Sequence, residues 1–168
     1  VQRQLPDLPV RGLVSEYFDG IRWLHQARSG RNLVLFLGSN IGNFTRSQAR
    51  VFLRQLWDAL QPNDYLLIGF DHEKDIEVLL RAYNDSRGVT AAFNKNILHV
   101  INKGLNADFD PELFDHVAFF NQRAGRMEMH LLARQEMEVN IADLRMRVPL
   151  RQGEAIHTEI SRKFSSRE

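Results

Sequence analysis

Phe36-Leu37-Gly38-Ser39-Asn40-Ile41-Gly42-Asn43-Phe44 follows a short apolar run, Leu33-Val34-Leu35, and precedes Thr45-Arg46-Ser47-Gln48, which has the sequence of a capping box opening a long amphipathic segment. Strand, glycine turn and helix start, in that order, is how α/β folds build a ligand site. A buried parallel strand ends at a crevice, and glycines there let backbone N–H and C=O groups approach a ligand with no Cβ in the way. The spacing is neither the dinucleotide fingerprint nor a phosphate loop, and no lysine follows the second glycine. On the pattern alone, a plain structural turn and a ligand site both stay open.

Around this stretch, the nearly unbroken apolar run over Asn32–Leu37 predicts a strand buried on both faces of a parallel sheet. A helix is predicted over Thr45–Leu60, with Ala49, Phe52, Leu53, Leu56, Trp57 and Leu60 on one face. Pro62-Asn63-Asp64 turns the chain into a second apolar strand at Tyr65–Phe70. Strand, helix and strand with such short connections predict a right-handed βαβ unit of a doubly wound fold. Upstream, Val1–Arg11, with Pro6 and Pro9, reads as an irregular lead-in, and the apolar periodicity from Leu13 to Leu24 predicts a helix with Ser15 near its start.

Beyond Asp71 the pattern changes. Two helices are predicted, one carrying Ile76, Leu79, Leu80 and Tyr83, the other carrying Val89, Ala92, Phe93, Ile97, Val100 and Ile101 and closed by Gly104. Then Met127, Met129, Leu131 and Ala133 alternate with polar residues, as do Met137, Val139 and Ile141, and Leu144, Met146, Val148 and Leu150. This predicts an antiparallel meander with Ala124-Gly125 in its first turn. The fold class expected is therefore α/β: a partial doubly wound (Rossmann-like) sheet over residues 1–71, an α+β segment over 72–163, and a return toward the first sheet over 164–168. Asp71, at the end of the second strand, could steer a ligand or cap the helix that follows it, and capping is the expectation.

A chain of 168 residues, 43% hydrophobic and 26% charged, has the composition of a globular protein with a sizeable core. Its 22 basic and 21 acidic side chains nearly cancel and form no basic stripe, so a nucleic-acid partner is not indicated and a small-molecule ligand is. There is no cysteine, no apolar run long enough to span a membrane and no visible signal peptide, which makes a cytoplasmic location the expectation. The six histidines show no metal-ligand grouping, and His72-Glu73 lacks the second histidine of a metalloprotease helix, so no metal is expected.

FLGSNIGNF, LLIGFDHEKD at Leu66–Asp75, RAYNDSRGVTAAFNKNIL at Arg81–Leu98, ADFDPELFDHVAFFN at Ala107–Asn121, RMEMHL at Arg126–Leu131 and GEAIHTEISRKF at Gly153–Phe164 together resemble the S-adenosylmethionine-dependent histidine N-methyltransferases of ergothioneine biosynthesis. The resemblance runs from about Gly12 onward. It implies N-methylation of the α-amine of an amino acid, histidine first, to the trimethylated betaine. S-adenosyl-L-methionine would be the methyl donor. Residues 72–163 would then be a substrate domain that lids the amino-acid pocket.

The chemistry asks little of the protein. Transfer of a methyl group from a sulfonium to an amine is an in-line displacement, so the protein has to align a neutral amine and exclude water. No catalytic acid/base residue is expected. The resemblance places Gly38 and Asn43 beside the substrate amine and carboxylate, the hydroxyl of Tyr83 on the carboxylate, Glu159 and Ser161 on the imidazole, and Glu16 and Tyr17 at the adenine of the cofactor. Each has a plainer reading too: Asn43 as a turn residue, Tyr83 and Tyr17 as members of apolar helix stripes, Glu16 as solvated, and Glu159 and Ser161 as a polar strand face with Ile160 toward the core. Met129 and Phe93 also fall near the pocket by resemblance, yet their types and spacing are those of core residues.

One departure from the family is large. The sulfonium-binding glycines expected upstream of Leu33 are missing, as are the last strands after Lys163, so the chain is expected to be a fragment of a complete methyltransferase, inactive alone. The Leu33–Leu37 strand would then have an unprotected edge, expected to self-associate, exchange segments or pack beneath the N-terminal helix, with only millimolar affinity for S-adenosylhomocysteine. Related family members methylate an indole-bearing amino acid. A non-catalytic domain that keeps the lid fold and binds an amino acid or a partner chain is the alternative.

Overall fold

The computed structural model describes residues 3–4, 6–26 and 30–165. They form two compact units, residues 1–36 with 45–68, and residues 37–44 with 69–168. Among the described residues, no helix is long and apolar enough to cross a membrane.

The first unit contains helix α1 (Tyr17–Gln26), strand β1 (Leu33–Phe36), helix α2 (Arg46–Ala59) and strand β2 (Tyr65–Ile68). The capping box forms as its sequence predicts: the Thr45 side chain accepts from the Gln48 N–H, and the Gln48 side chain accepts from the Thr45 N–H at 2.8 Å. Strands β1 and β2 pair in parallel, Leu33 with Tyr65 through Phe36 with Ile68, so the βαβ succession is present. Asp64 secures the return, its carboxylate accepting from the backbone N–H groups of Asn32 and Gln61, each at 2.8 Å.

Three expectations for this unit need correction. Strand β1 is not buried on both faces: Leu33 and Leu35 are more than half exposed while Phe36 is buried, because only the Phe36 face is covered by α1 and α2. The buried face of α2 is Ala49, Phe52, Leu56 and Ala59, and Trp57, one residue round the helix, is 78% exposed. Helix α1 starts at Tyr17, about a turn later than the periodicity suggests, because Val14 is fully exposed and has nothing to pack on.

The second unit contains a 3-10 turn (Asn40–Asn43), helices α3 (Ile76–Tyr83) and α4 (Val89–Leu105), and strands β3 (Phe114–Asn121), β4 (Arg126–Ala133), β5 (Met137–Ile141), β6 (Met146–Leu150) and β7 (Ala155–Arg162). The strands do not form one meander. β4 lies between β3 and β7 in an antiparallel three-stranded sheet, and β5 and β6 form a hairpin of their own. The lengths explain the choice, since the eight residues of β7 match the eight of β4 and the five-residue β5 does not. The hairpin still buries its apolar face: Val139, Ile141 and Leu150 pack with Leu98 of α4, Phe114 of β3 and Leu131 of β4. A second cluster, Leu79, Ala118, Met127 and Met129, joins α3 to the same sheet.

Helix α4 also differs from expectation. Its buried residues are Leu98 and Asn94, and the predicted apolar stripe through Val89, Phe93 and Val100 is more than half exposed. Gly104 is an ordinary helical residue, and the left-handed cap is Asn106 (φ 50°), one of the few side chains that adopt that conformation readily. At the other end the exposed Asp85 accepts from the N–H groups of Val89 and Thr90, which holds its pKa down at about 2.

Candidate functional site

All five residues expected at the substrate fall in the second unit, and Glu16 and Tyr17 fall in the first. The glycine stretch leaves β1 with two consecutive left-handed residues, Gly38 (φ +77°) and Ser39 (φ 60°), and then enters the 3-10 turn. Ile41 and Gly42 are buried there, while Gly38 and Asn43 stay exposed. A Cβ on Gly42 would lie 2.9 Å from the carbonyl oxygen of Arg162 and 3.2 Å from its nitrogen. Both are backbone atoms at the end of β7, so only glycine lets the turn rest on that strand. Gly42→Ala is expected to lower unfolding stability by roughly 1–2 kcal/mol, the ordinary cost of overpacking against groups that cannot rotate away. Urea unfolding checks this, and an unchanged midpoint would mean the turn moves freely off β7.

β7 carries Glu159 and Ser161 across from Met129 and Met127, so both face the same side of the sheet as the cluster under α3. Ile160 pairs with Glu128 and faces the other side, half-buried and outside both apolar clusters, which corrects the expectation that it reaches the core. Tyr83, the last residue of α3, packs its ring against that cluster. Its backbone is held from below. Buried Asn94 donates to Nδ1 of His116 at 2.9 Å, so Nε2 of the same neutral ring carries the proton and donates to the Tyr83 carbonyl, also at 2.9 Å.

The centre of the arrangement is a residue that sequence reading missed. Lys163 is 2% exposed, and its Nζ donates to Tyr83 Oη, Ser161 Oγ and Asp71 Oδ2, each at 2.9 Å. It therefore ties the end of α3, the end of β7 and the segment after β2 to one point. The expectation that Asp71 caps a helix is corrected: Asp75 caps α3, and Asp71 is the counter-ion of Lys163 and of Lys74. Burial alone would raise the pKa of Asp71, but the hydrogen bonds and charges of Lys74 and Lys163 outweigh it and hold the carboxyl below its ordinary value. Glu159 is the opposite case. Burial pushes its pKa up, the charge of Lys163 offsets only part of that, and no hydrogen bond reaches its carboxylate among the described residues.

The wall so formed has two hydroxyls, an unengaged half-buried carboxylate, and a satisfied cation behind them. It suits a small ligand with both donors and acceptors. Met129 is buried in the cluster below, whereas Phe93 is 64% exposed on α4 rather than in the core.

The opposite side of the sheet holds a group that chain spacing conceals. Cross-strand pairing and a bulge near Thr158 bring Glu128, His130 and His157 together, their ligand atoms within 4.8 Å of one another. Phe119, His130 and His157 form a stack, with centroids 5.4 and 4.5 Å apart and planes within 7° and 16° of parallel. Stacked imidazoles point their in-plane lone pairs side by side, whereas a metal needs them to converge. Glu128 is already engaged by Arg126 at 2.8 Å and Asn121 at 2.9 Å, which keep its pKa low although burial would raise it.

In the first unit, Tyr17 is half exposed, its ring edge-on to Phe36 and Phe52 at 5.5 and 6.0 Å, and Glu16 stands beside it in an open groove. The apolar-stripe role of Tyr17 is thus real, since its ring packs on the aromatic residues of β1 and α2.

Comparison with known proteins adds the lineage. The family model described as histidine-specific methyltransferase, SAM-dependent, matches residues 1–168. A histidine N-alpha-methyltransferase of Mycolicibacterium smegmatis is 51% identical over 135 residues, which is 80% of this chain and 42% of that protein. One from Mycobacterium tuberculosis is 40% identical over 164 residues, 98% of this chain and 50% of that protein. Ergothioneine biosynthesis protein 1 of Neurospora crassa is 43% identical over 94 residues, 55% of this chain and 11% of that protein. The chain spans about half the length, or less, of these curated relatives. With the matched region running from end to end, the chain belongs to the SAM-dependent, histidine-specific methyltransferase family.

Proposed function

We propose that this chain supplies the substrate-binding part of a SAM-dependent histidine N-α-methyltransferase of ergothioneine biosynthesis, acting on free histidine in the cytoplasm and making the trimethylated betaine by successive transfers. The observation that carries the reading is the wall itself: Glu159, Ser161 and Tyr83 on one side of one sheet, two of them joined through Lys163, with no hydrogen bond to the carboxylate of Glu159 among the described residues. In this reading Glu159 accepts from the imidazole N–H, Ser161 meets the other ring nitrogen, and Tyr83 donates to the substrate carboxylate. Gly38 through its backbone and Asn43 through its amide hold the amine and carboxylate.

The methyl donor, S-adenosylmethionine, supplies an activated methyl group. In each transfer the nitrogen lone pair forms the new N–C bond while the S–C bond breaks, and where the product nitrogen still carries a proton it is lost before the next transfer. The residues of this chain align and shield the amine and transfer no proton themselves. Glu16 and Tyr17 are assigned to the adenine, the βαβ of residues 1–71 to a doubly wound cofactor-binding sheet, residues 72–163 to a substrate domain, and 164–168 to the return. Of that return, residues 166–168 lie outside the described residues, and Phe164 forms a parallel bridge to His72 with its ring edge-on to Phe70 at 5.0 Å.

Calorimetry of the full-length protein with histidine and S-adenosylhomocysteine, with mass spectrometry of the histidine product, tests the reading. Binding without any mass gain would favour a non-catalytic amino-acid-binding domain instead. Tyr83→Phe is a sharper probe, since it keeps the ring and deletes one hydroxyl. Histidine binding is expected to weaken by roughly 0.5–1.5 kcal/mol. A variant that melts early with unchanged affinity would leave Tyr83 only its place in the apolar cluster.

A further inference from the structure

We propose that Lys163 is a positioning residue that turns the hydroxyls of Ser161 and Tyr83 outward as donors, and so makes the pocket select a side-chain ring that offers one N–H and one bare nitrogen. The inference rests on the histidine-pocket reading above and adds to it the origin of ring selectivity.

An ammonium group has three donors and no acceptor, and Lys163 spends all three on Asp71, Tyr83 and Ser161. None remains for a ligand, so Lys163 is not itself a substrate contact. Because Nζ cannot accept, each hydroxyl must receive on the lysine side and direct its own hydrogen elsewhere. Among the described residues no group takes up that hydrogen, and neither hydroxyl has a second partner. A hydroxyl that accepts from a cation is polarised into a better donor, and the effect is stronger where the cation is buried, as Lys163 is.

The wall therefore presents a fixed pair to a ring: Ser161 donating and ionised Glu159 accepting, two residues apart on one strand side. Neutral imidazole matches both, with one N–H and one bare nitrogen. Indole has an N–H only and would leave the Ser161 hydrogen facing carbon. An imidazolium has two N–H groups and would bring a second donor against Ser161 in front of the lysine charge. A pocket whose buried polar groups are left unpaired by the wrong ligand rejects it more strongly than a pocket that merely lacks room.

The test uses the full-length protein in three forms, wild type, Lys163→Met and Ser161→Ala, together with the double variant. Affinities for histidine and for tryptophan are measured by calorimetry, with S-adenosylhomocysteine binding as the check on folding. Lys163→Met is expected to shrink the histidine-over-tryptophan ratio by about tenfold or more. In the Ser161→Ala background the same lysine change should shift the ratio little, because the lysine acts through that hydroxyl. Should Lys163→Met fail to fold, wild type alone decides the matter through nitrogen NMR of bound, ring-labelled histidine, expected to show a neutral ring with a single protonated nitrogen. A bound imidazolium, or a folded Lys163→Met protein with an unchanged ratio, overturns the inference while leaving the histidine pocket standing. No histidine binding by wild type would overturn the pocket reading, and this inference with it.

Discussion

Glu159→Ala is expected to weaken histidine binding by about 1.5–3 kcal/mol, the range of a hydrogen bond to a charged acceptor, with cofactor affinity nearly unchanged. The carboxylate is half-buried, feels the charge of Lys163, and has no hydrogen bond among the described residues, so a ligand donor can engage it. That geometry also sets a pH dependence. Burial raises the pKa of Glu159, so the unliganded protein holds the proton to a higher pH than an ordinary glutamate does, and the stability this group contributes falls as pH rises from the ordinary value through the raised one. Histidine reverses the bias, because its N–H needs the ionised acceptor. Histidine affinity should therefore fall as pH drops through the raised pKa of Glu159, with proton release on binding in that range. Calorimetry in two buffers of different ionisation enthalpy measures the release. Equal loss of histidine and cofactor binding in the variant, or loss of neither, would remove Glu159 from the imidazole role.

Elements with strong local signals were legible in the sequence. The capping box at Thr45 and Gln48, the pairing of the two apolar strands through a helix, and the alternation in Met127, Met129 and Leu131 each report a backbone state that neighbouring residues enforce. What periodicity does not contain is partner choice. A strand pattern reads the same whether its neighbour is the next strand or one twenty residues on, which is why β7 beside β4 and the separate β5–β6 hairpin were hidden. Burial fails for the same reason. Trp57 and Phe93 fit helical stripes by type, but each lies at the margin of its helix's packing face and stays in solvent.

The candidate site divides along the same line. Tyr83, Glu159 and Ser161 were reached through family motifs, and the structure gives them a shared face. Lys163 was invisible because a lone lysine near a strand end is ordinarily solvated, and its three acceptors lie as far as 92 residues away in sequence. Asp71 offered a signal that pointed the wrong way. An acid just after a strand resembles a helix cap, yet Asp75 takes that role and leaves Asp71 to the lysine. A buried cation always needs an anion, so an acid left over after the caps are assigned was the available clue.

Asp71→Ala is expected to cost about 3 kcal/mol of folding stability, the low end of what is lost when one partner of a buried ion pair is removed. The low end applies because Asp71 keeps 29% of its side chain in water while Lys163 keeps 1%. Without the carboxylate, Lys163 would retain two hydroxyl acceptors and no counter-charge, so the cation must lose its proton, draw in water or leave the sheet. Each route pulls on Tyr83 and Ser161, and histidine affinity should fall with stability. Asp71→Asn, which keeps an acceptor oxygen, should fall between wild type and alanine. The acid side supplies an independent check. The folded pKa of Asp71 lies below its ordinary 3.8, so its contribution is complete above that value and disappears as pH falls through the folded pKa. The stability gap between wild type and Asp71→Ala should therefore be constant near neutrality and narrow below about pH 4. Urea unfolding at a series of pH values reads both. A gap that is small at neutral pH, or that persists unchanged in acid, would mean that Lys163 finds its compensation elsewhere.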